Sequence, residues 1–346
     1  MTTFPQAGAS RARIAAAAVC VIGLVLAISL LLAPRSEAAG GQIVIHDLDG
    51  GAKLSRAEIR KAEPLDPIAH ELPTGTGASP ASTPEPAGKP GYVQGYVPPN
   101  VVTAEAFARA GAQTSGGFGS FTSRAVPAYT DYPNTTTGRV VGKMPGFGAY
   151  SCTASVVHAR NQSTLFTAGH CVKEPGGSFA SELTFVPSYR QGTEPFGRWA
   201  ATSFLVKPAW ARKGNSNFDY AAVVVQPNAS GKVEAVVGSQ GFAYNVNPKK
   251  KKFRAVGYPF NRGDTQIMWE CRDRFAGFDP GYRGPGPKPI GIGCDMLGGA
   301  SGGPWTLPGI YLNSVTSFGY DELPNHLFGP QFTRAADKLR KSAGKR

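Results

Sequence analysis

From Ala125 onward the chain alternates short apolar, β-branched and aromatic runs with Gly, Pro and Asn. The clearest runs are 151–159, 163–168, 183–187, 220–226, 253–258, 266–270, 305–307 and 312–318. Short runs bounded by turn formers predict β-strands, and many in series predict an all-β antiparallel sandwich or barrel. The pattern changes at 331–341, where Phe332, Ala335, Ala336 and Leu339 share one helical face, predicting one C-terminal helix. No internal repeat is evident.

Residues 40–124 read differently. The stretch 72–99 is rich in Pro, Gly, Ser, Thr and Ala. It has too little apolar surface to offset its chain entropy, so a largely disordered linker is expected. A charged stretch at 53–69 and an Ala-rich one at 103–110 predict short helices that build no core alone. Composition switches at Arg124-Ala125. This predicts a pro-segment, 40–124, removed by a cut at or near that bond, and a folded domain, 125–346. At the N-terminus, Arg11 and Arg13 precede an apolar run, 14–33, and the small residues Ser36 and Ala38 follow it. The pattern is that of a secretory signal peptide over 1–39 and predicts secretion. The run is about 20 residues, long enough to span a bilayer, so an uncleaved membrane anchor is the alternative.

Export changes how the cysteines read. Beyond the signal peptide they number four: Cys152, Cys171, Cys271 and Cys294. An even count in an exported chain predicts two disulfides, with three pairings open. The pairs nearest in sequence, Cys152–Cys171 and Cys271–Cys294, would each close a loop of about 20 residues and contribute roughly 3 kcal/mol. No C-x-x-C pair exists and histidines number five, so neither a metal nor a cofactor is expected. The formal net charge is +13. Without a nucleic-acid motif that excess predicts no nucleic-acid partner, leaving solubility and weak binding to anionic envelope polymers. The run Lys249–Lys252 fits a solvated hairpin loop. A monomer is expected.

The segment Gly298-Gly299-Ala300-Ser301-Gly302-Gly303-Pro304 carries the chemistry. Glycine is favoured where φ is positive or where another group must approach the backbone. An acyl-transfer site needs an exposed hydroxyl and free N–H groups aimed at a developing oxyanion. Ser301 is then the nucleophile, with the N–H groups of Gly299 and Ser301 as the oxyanion hole. His170 follows an apolar run and abuts Cys171, and is the candidate base. Asp219 opens the apolar run 220–225. A carboxylate there needs a partner, and orienting His170 would supply one. Gly299-x-Ser301-x-Gly303 also fits the α/β-hydrolase elbow, but those enzymes place acid and His after the Ser. Here the order is His170, Asp219, Ser301, and His326 lies 25 residues beyond Ser301.

Thr167-Ala168-Gly169-His170-Cys171, Asp219-Tyr220-Ala221 and Gly299-Ala300-Ser301-Gly302-Gly303-Pro304 together resemble the trypsin/chymotrypsin-like serine peptidases. Secreted bacterial members, of the actinobacterial trypsin-like and glutamyl-endopeptidase-like groups, look nearest. The resemblance covers about 125–346. It implies two antiparallel β-barrels with the His-Asp-Ser triad in the cleft between them, and protein or peptide substrates. It also implies that Ser317-Phe318-Gly319 pairs with substrate backbone. Asp295, six residues before Ser301, has the spacing of an acidic S1 residue that selects Arg or Lys, although Cys294 lies three residues earlier than in trypsin's pattern. Thr316 stands where glutamyl-specific members carry a histidine. Ala300 replaces the aspartate that pairs with a new N-terminus on activation, so a pro-segment must act here by covering the site or assisting folding. Arg139-Val140-Val141-Gly142 is a faint echo of the usual activation sequence.

Overall fold

A computed structural model describes residues 42–49, 54–65, 68–72, 88–99, 122–282 and 286–346, all within the unit Gly41–Arg346. The signal-peptide region, linker residues 73–87 and the 103–110 stretch lie outside the described residues.

The N-terminal part contributes β1 (Val44–Asp47), α1 (Arg56–Lys61), β2 (Glu63–Pro64), β3 (Ile68–His70), β4 (Gly91–Val93) and β5 (Arg124–Ala125). The sequence of α1 sets its start. Ser55 Oγ accepts from the Glu58 N–H, and Glu58 Oε2 accepts from the Ser55 N–H, satisfying two otherwise orphaned donors.

Six strands follow: β6 (Thr137–Met144), β7 (Gly148–Val156), β8 (Thr164–Thr167), β9 (Glu182–Pro187), β10 (Trp199–Val206) and β11 (Ala221–Val225), with α2 (Pro208–Lys213) before the last. They pair antiparallel in the ring β6-β7-β8-β11-β10-β9-β6, a closed barrel without free edges. The chain then passes through α3 (Val233–Val237) to β12 (Gly241–Tyr244), β13 (Lys252–Gly257), β14 (Trp269–Phe278), β15 (Ile290–Gly293), β16 (Pro304–Leu307), β17 (Tyr311–Val315), β18 (Phe318–Tyr320) and β19 (His326–Gly329). The order β18-β19-β15-β14-β13-β16-β17 winds around a second core of Phe253, Ile290, Ile292, Met296 and Trp305. The last element, α4 (Arg334–Ala343), is capped by Thr333. It packs Ala336 and Leu339, with Phe332, into the core of the first barrel.

Both disulfides join the cysteines nearest in sequence, Cys152–Cys171 and Cys271–Cys294.

The described residues of the N-terminal part form short strands and one helix because they borrow partners from the barrels. β1 adds antiparallel to β10, β4 antiparallel to β12, β2 parallel to β7 and β3 parallel to β18. Leu54, Ile59 and Ala62 join Val126, Val141, Val186, Tyr189, Val256, Tyr258 and Met268 in a third apolar cluster that contains residues of both barrels. Within the predicted linker, 88–99 is likewise described and holds β4. Arg124 and Ala125 form β5 on β14, and Arg124 is bonded to buried Glu270 at 2.8 Å. Cutting that bond requires β5 to open. Arg139, in the faint activation echo, lies buried within β6.

Candidate active site

His170 sits just after β8, where the Cys152–Cys171 bridge ties its neighbour to β7. Asp219 ends a short 3-10 turn, Ser216–Phe218, immediately before β11. Its fully buried carboxylate accepts three hydrogen bonds: from the His170 backbone N–H (2.8 Å), from His170 Nδ1 (2.7 Å) and from Ser317 Oγ (2.5 Å). These bonds satisfy a buried charge and fix the ring with Nε2 turned away from Asp219. Gly169 makes the approach possible, since a Cβ there would lie 2.8 Å from Asp219 Oδ1 and 2.6 Å from Trp210 Cδ1.

The serine loop comes from the second sheet but rests on the first barrel. Thr153 N–H donates to the Ser301 carbonyl at 2.8 Å, and Thr153 Oγ1 donates to the Gly299 carbonyl at 2.9 Å while accepting from Tyr258 N–H at 3.0 Å. The Ser301 carbonyl lies 3.7 Å from Cys171 Sγ, beside His170. Gly299 (φ +85°) and Gly302 (φ +77°) both have positive φ, and a Cβ at Gly302 would fall 2.0 Å from Thr167 Oγ1. Glycine is thus required at both turns. Thr153 is a joint that motif reading missed.

Ser301 is fully buried and His170 is 7% exposed. Neither Ser301 Oγ nor His170 Nε2 has a hydrogen-bond partner, so the serine and the imidazole are not bonded to each other here. The N–H of Gly299 donates instead to the Leu65 carbonyl at 2.8 Å, and Leu65 N–H donates to the Ser151 carbonyl at 2.9 Å.

The other site residues are placed as follows. Ser317 orients Asp219, while Phe318 and Gly319 lie in β18, already paired with Ile68 and Ala69. Asp295 is bonded to Arg262 Nη1 at 2.9 Å and to the Ser123 N–H at 2.8 Å, so its carboxylate is engaged rather than open to a substrate cation. Thr316 Oγ1 accepts from Trp305 Nε1 at 2.9 Å. Sequence reading also missed buried Asp279, which accepts from Tyr320 OH (2.5 Å) and Gly281 N–H (2.8 Å). Burial raises the Asp279 pKa against those bonds. Beside it, burial lowers the pKa of His70, whose ring meets Phe318 edge-on at 4.6 Å.

No family model matches the chain. Over 147 residues it is 30% identical to the extracellular metalloprotease of Bacillus subtilis, which covers 42% of this chain and 44% of that protein. The chain thus spans less than half of this curated relative's length. Among solved structures, the protease Anisep from Arthrobacter nicotinovorans aligns with a TM-score of 0.56 at 30% identity, over 61% of this chain and 96% of Anisep. The thermostable serine protease AL20, from an extremophilic microorganism, aligns with a TM-score of 0.56 at 34% identity, over 61% of this chain and 97% of AL20. The chain belongs to the trypsin/chymotrypsin-like serine proteases.

In this chain His170 and Asp219 flank strands of the first barrel, and Ser301 lies in a loop of the second sheet, joined to the first barrel through Thr153. The Bacillus subtilis relative is named as a metalloprotease. Among the described residues of this chain, the two groups with metal-ligand spacing are Cys152, His170, Cys171 and Cys271, Cys294, Asp295. Each contains both sulfurs of a disulfide, leaving one donor, which does not make a metal site.

Proposed function

We propose that the protease is a secreted serine endopeptidase that cleaves protein or peptide substrates through an acyl-enzyme. Ser301 attacks the scissile carbonyl. His170 takes its proton and returns it to the leaving amine. Asp219 holds the Nδ1–H tautomer and stabilises the imidazolium. The N–H groups of Gly299 and Ser301 receive the oxyanion. The observation that carries this reading is the Asp219 carboxylate, buried and bonded to both the backbone and the ring of His170. A silent, peptide-binding relative would have no need of that arrangement. Residues 40–124 act as a pro-segment removed at or near Arg124. The basic, apolar N-terminus directs export, with an uncleaved anchor as the alternative.

The test is covalent labelling of the processed protein by a fluorophosphonate, with mapping of the adduct. Labelling at Ser301 that disappears in Ser301→Ala and His170→Ala supports the reading. Absence of any Ser301 adduct, or label that survives His170→Ala, defeats it.

A further inference from the structure

The exposed residues of α4 are all basic. Arg334, Lys338 and Lys341 stand at spacings of four and three, on one helical face, and Lys345 and Arg346 follow just beyond its end. The opposite face, with Ala335, Ala336, Leu339 and Ala343, is buried. The acid of this helix, Asp337, is buried and taken up by Arg340 at 2.8 Å and Lys341 at 2.7 Å. Burial, and after it the charge of Lys338, lower the pKa of buried Lys207, so the basic face is felt as far as the end of β10.

At the C-terminal end of this face lies a cavity of about 420 Å³, lined by His158, Arg160, Arg340, Lys341 and Lys345. Its size is that of a ligand site. Its walls are tied together. Arg340 donates to the His158 carbonyl at 2.6 Å, Asn161 donates to the Ala343 carbonyl at 3.1 Å, and a Cβ at Gly344 would lie 3.1 Å from the Arg160 nitrogen. His158 Nδ1 lies 2.6 Å from the buried Glu234 carboxylate, which also accepts from Ser239 Oγ at 2.8 Å. That leaves Nε2 as the ring nitrogen available to the cavity. Arg160 and Lys345 pair with no carboxylate among the described residues.

Like charges gathered around one cavity repel, and an anion between them relieves the repulsion. Donors face the cavity from two elements, α4 with its end and the loop after β7. A planar carboxylate presents one edge to donors, whereas a tetrahedral oxyanion accepts from both sides. No aromatic ring besides His158 lines the cavity, so it offers no platform for stacking bases. From Lys341 the basic face runs on to Arg334, roughly 10 Å along the helix, so a row of anionic groups is met rather than one.

We propose that this cavity and the exposed face of α4 bind a linear polymer of phosphate groups, with one phosphate held between His158, Arg160, Lys341 and Lys345. The site does not involve Ser301 and stands apart from the endopeptidase reading. Its basic residues all lie in 125–346, so a cut at Arg124 leaves them in place, and only Val93 of β4 is lost from the wall. Adhesion through net charge alone would instead spread over every basic patch, Lys249–Lys252 included.

The test measures binding of inorganic polyphosphate to the full chain carrying Ser301→Ala, which prevents self-cutting. Arg160→Gln with Lys345→Gln, both at exposed positions, should weaken binding by about 10-fold or more, the scale of lost charge-assisted contacts. Lys249→Gln with Lys250→Gln removes the same charge elsewhere and should leave binding within about twofold. Polyglutamate of equal charge should bind about 10-fold more weakly than polyphosphate. Without any change at the site, polyphosphate should protect Lys341 and Lys345 from acetylation while Lys249 and Lys250 stay reactive. Equal losses in the two double variants, or equal protection of the two lysine pairs, show diffuse attraction and overturn the proposal. So does polyglutamate that binds as tightly, a mixed-sequence oligonucleotide that binds more tightly than polyphosphate, or orthophosphate that competes as well per phosphate group as the polymer.

Discussion

Replacing Asp219 by Asn changes one atom in a fixed hydrogen-bond arrangement. Oδ1 faces the His170 backbone N–H and Oδ2 faces both His170 Nδ1 and Ser317 Oγ. The amide oxygen must keep the backbone N–H, so the NH2 group points at the ring. His170 must then accept at Nδ1 and carry its proton on Nε2, the tautomer that cannot take a proton from Ser301. The variant also loses the attraction between a 2.7 Å carboxylate and the imidazolium of the transition state. Coulomb's law at an effective dielectric near 20 puts an upper bound on that attraction of about 6 kcal/mol. A loss of about 5.5 kcal/mol equals a ten-thousandfold fall in kcat/KM, the scale associated with loss of the tautomer-holding acid. The assay is hydrolysis of a fluorescein-labelled protein by the processed form, with folding checked by thermal unfolding. A folded Asp219→Asn protein within about tenfold of the parent would refute the argument.

Glu270 carries an acid-stability signature. Burial pushes its pKa up, but Arg254 and Arg272 outweigh it and hold the carboxyl at about 2. A lowered carboxyl pKa contributes stability above the unfolded value and loses it as pH falls, here between about 4.5 and about 2. Urea titrations should show roughly 3 kcal/mol disappearing over that window, and Glu270→Gln, less stable at neutral pH, should show a flatter acid limb. Replacing Cys152 and Cys171 by Ala should cost about 3 kcal/mol in denaturant unfolding, and activity should fall with it because Cys171 adjoins His170. Asp295→Asn should leave the P1 profile on a peptide library unchanged, because Arg262 and Ser123 already hold the carboxylate. Selective loss of Arg and Lys cleavage would show that Asp295 faces substrate.

Strands with dense β-branched runs, such as β8, β9, β11 and β13, were legible because their pattern and burial coincide. β6 was not. Its Gly138 and Gly142 interrupt the apolar pattern, and a Cβ at either would lie 2.5 Å from a neighbour, Val186 O or Tyr150 OH. Its Arg139 is buried because the carbonyls of Ile59, in α1, and Ala62, just after it, accept from the guanidinium. β14 runs well past the expected 266–270, through Arg272, which bonds Glu270 two residues earlier on the same strand, and Asp273, which accepts from the N–H groups of Arg274 and Gly293. The strands of the N-terminal part are two to four residues long, too short for any period to show. Their existence depends on sheet edges elsewhere in the chain. The His170, Asp219 and Ser301 motifs were legible as chemistry. Thr153, and Ser317 as a partner of Asp219, were not, because a single hydroxyl has no signature until the fold places it.

The C-terminal helix has a consequence for how the chain is made. The first barrel occupies residues 137–225, yet its core is finished by Phe332, Ala336 and Leu339. Arg340 donates to the His158 carbonyl, and Asn161 donates to the carbonyl of Ala343. A chain that emerges N-terminus first must therefore deliver residues 332–339 before its first barrel can close. Until then Phe166 and Phe242 lack the aromatic face of Phe332, and the barrel that carries His170 and Asp219 stays incomplete. Synthesis order alone thus leaves the candidate site unfinished until α4 has emerged.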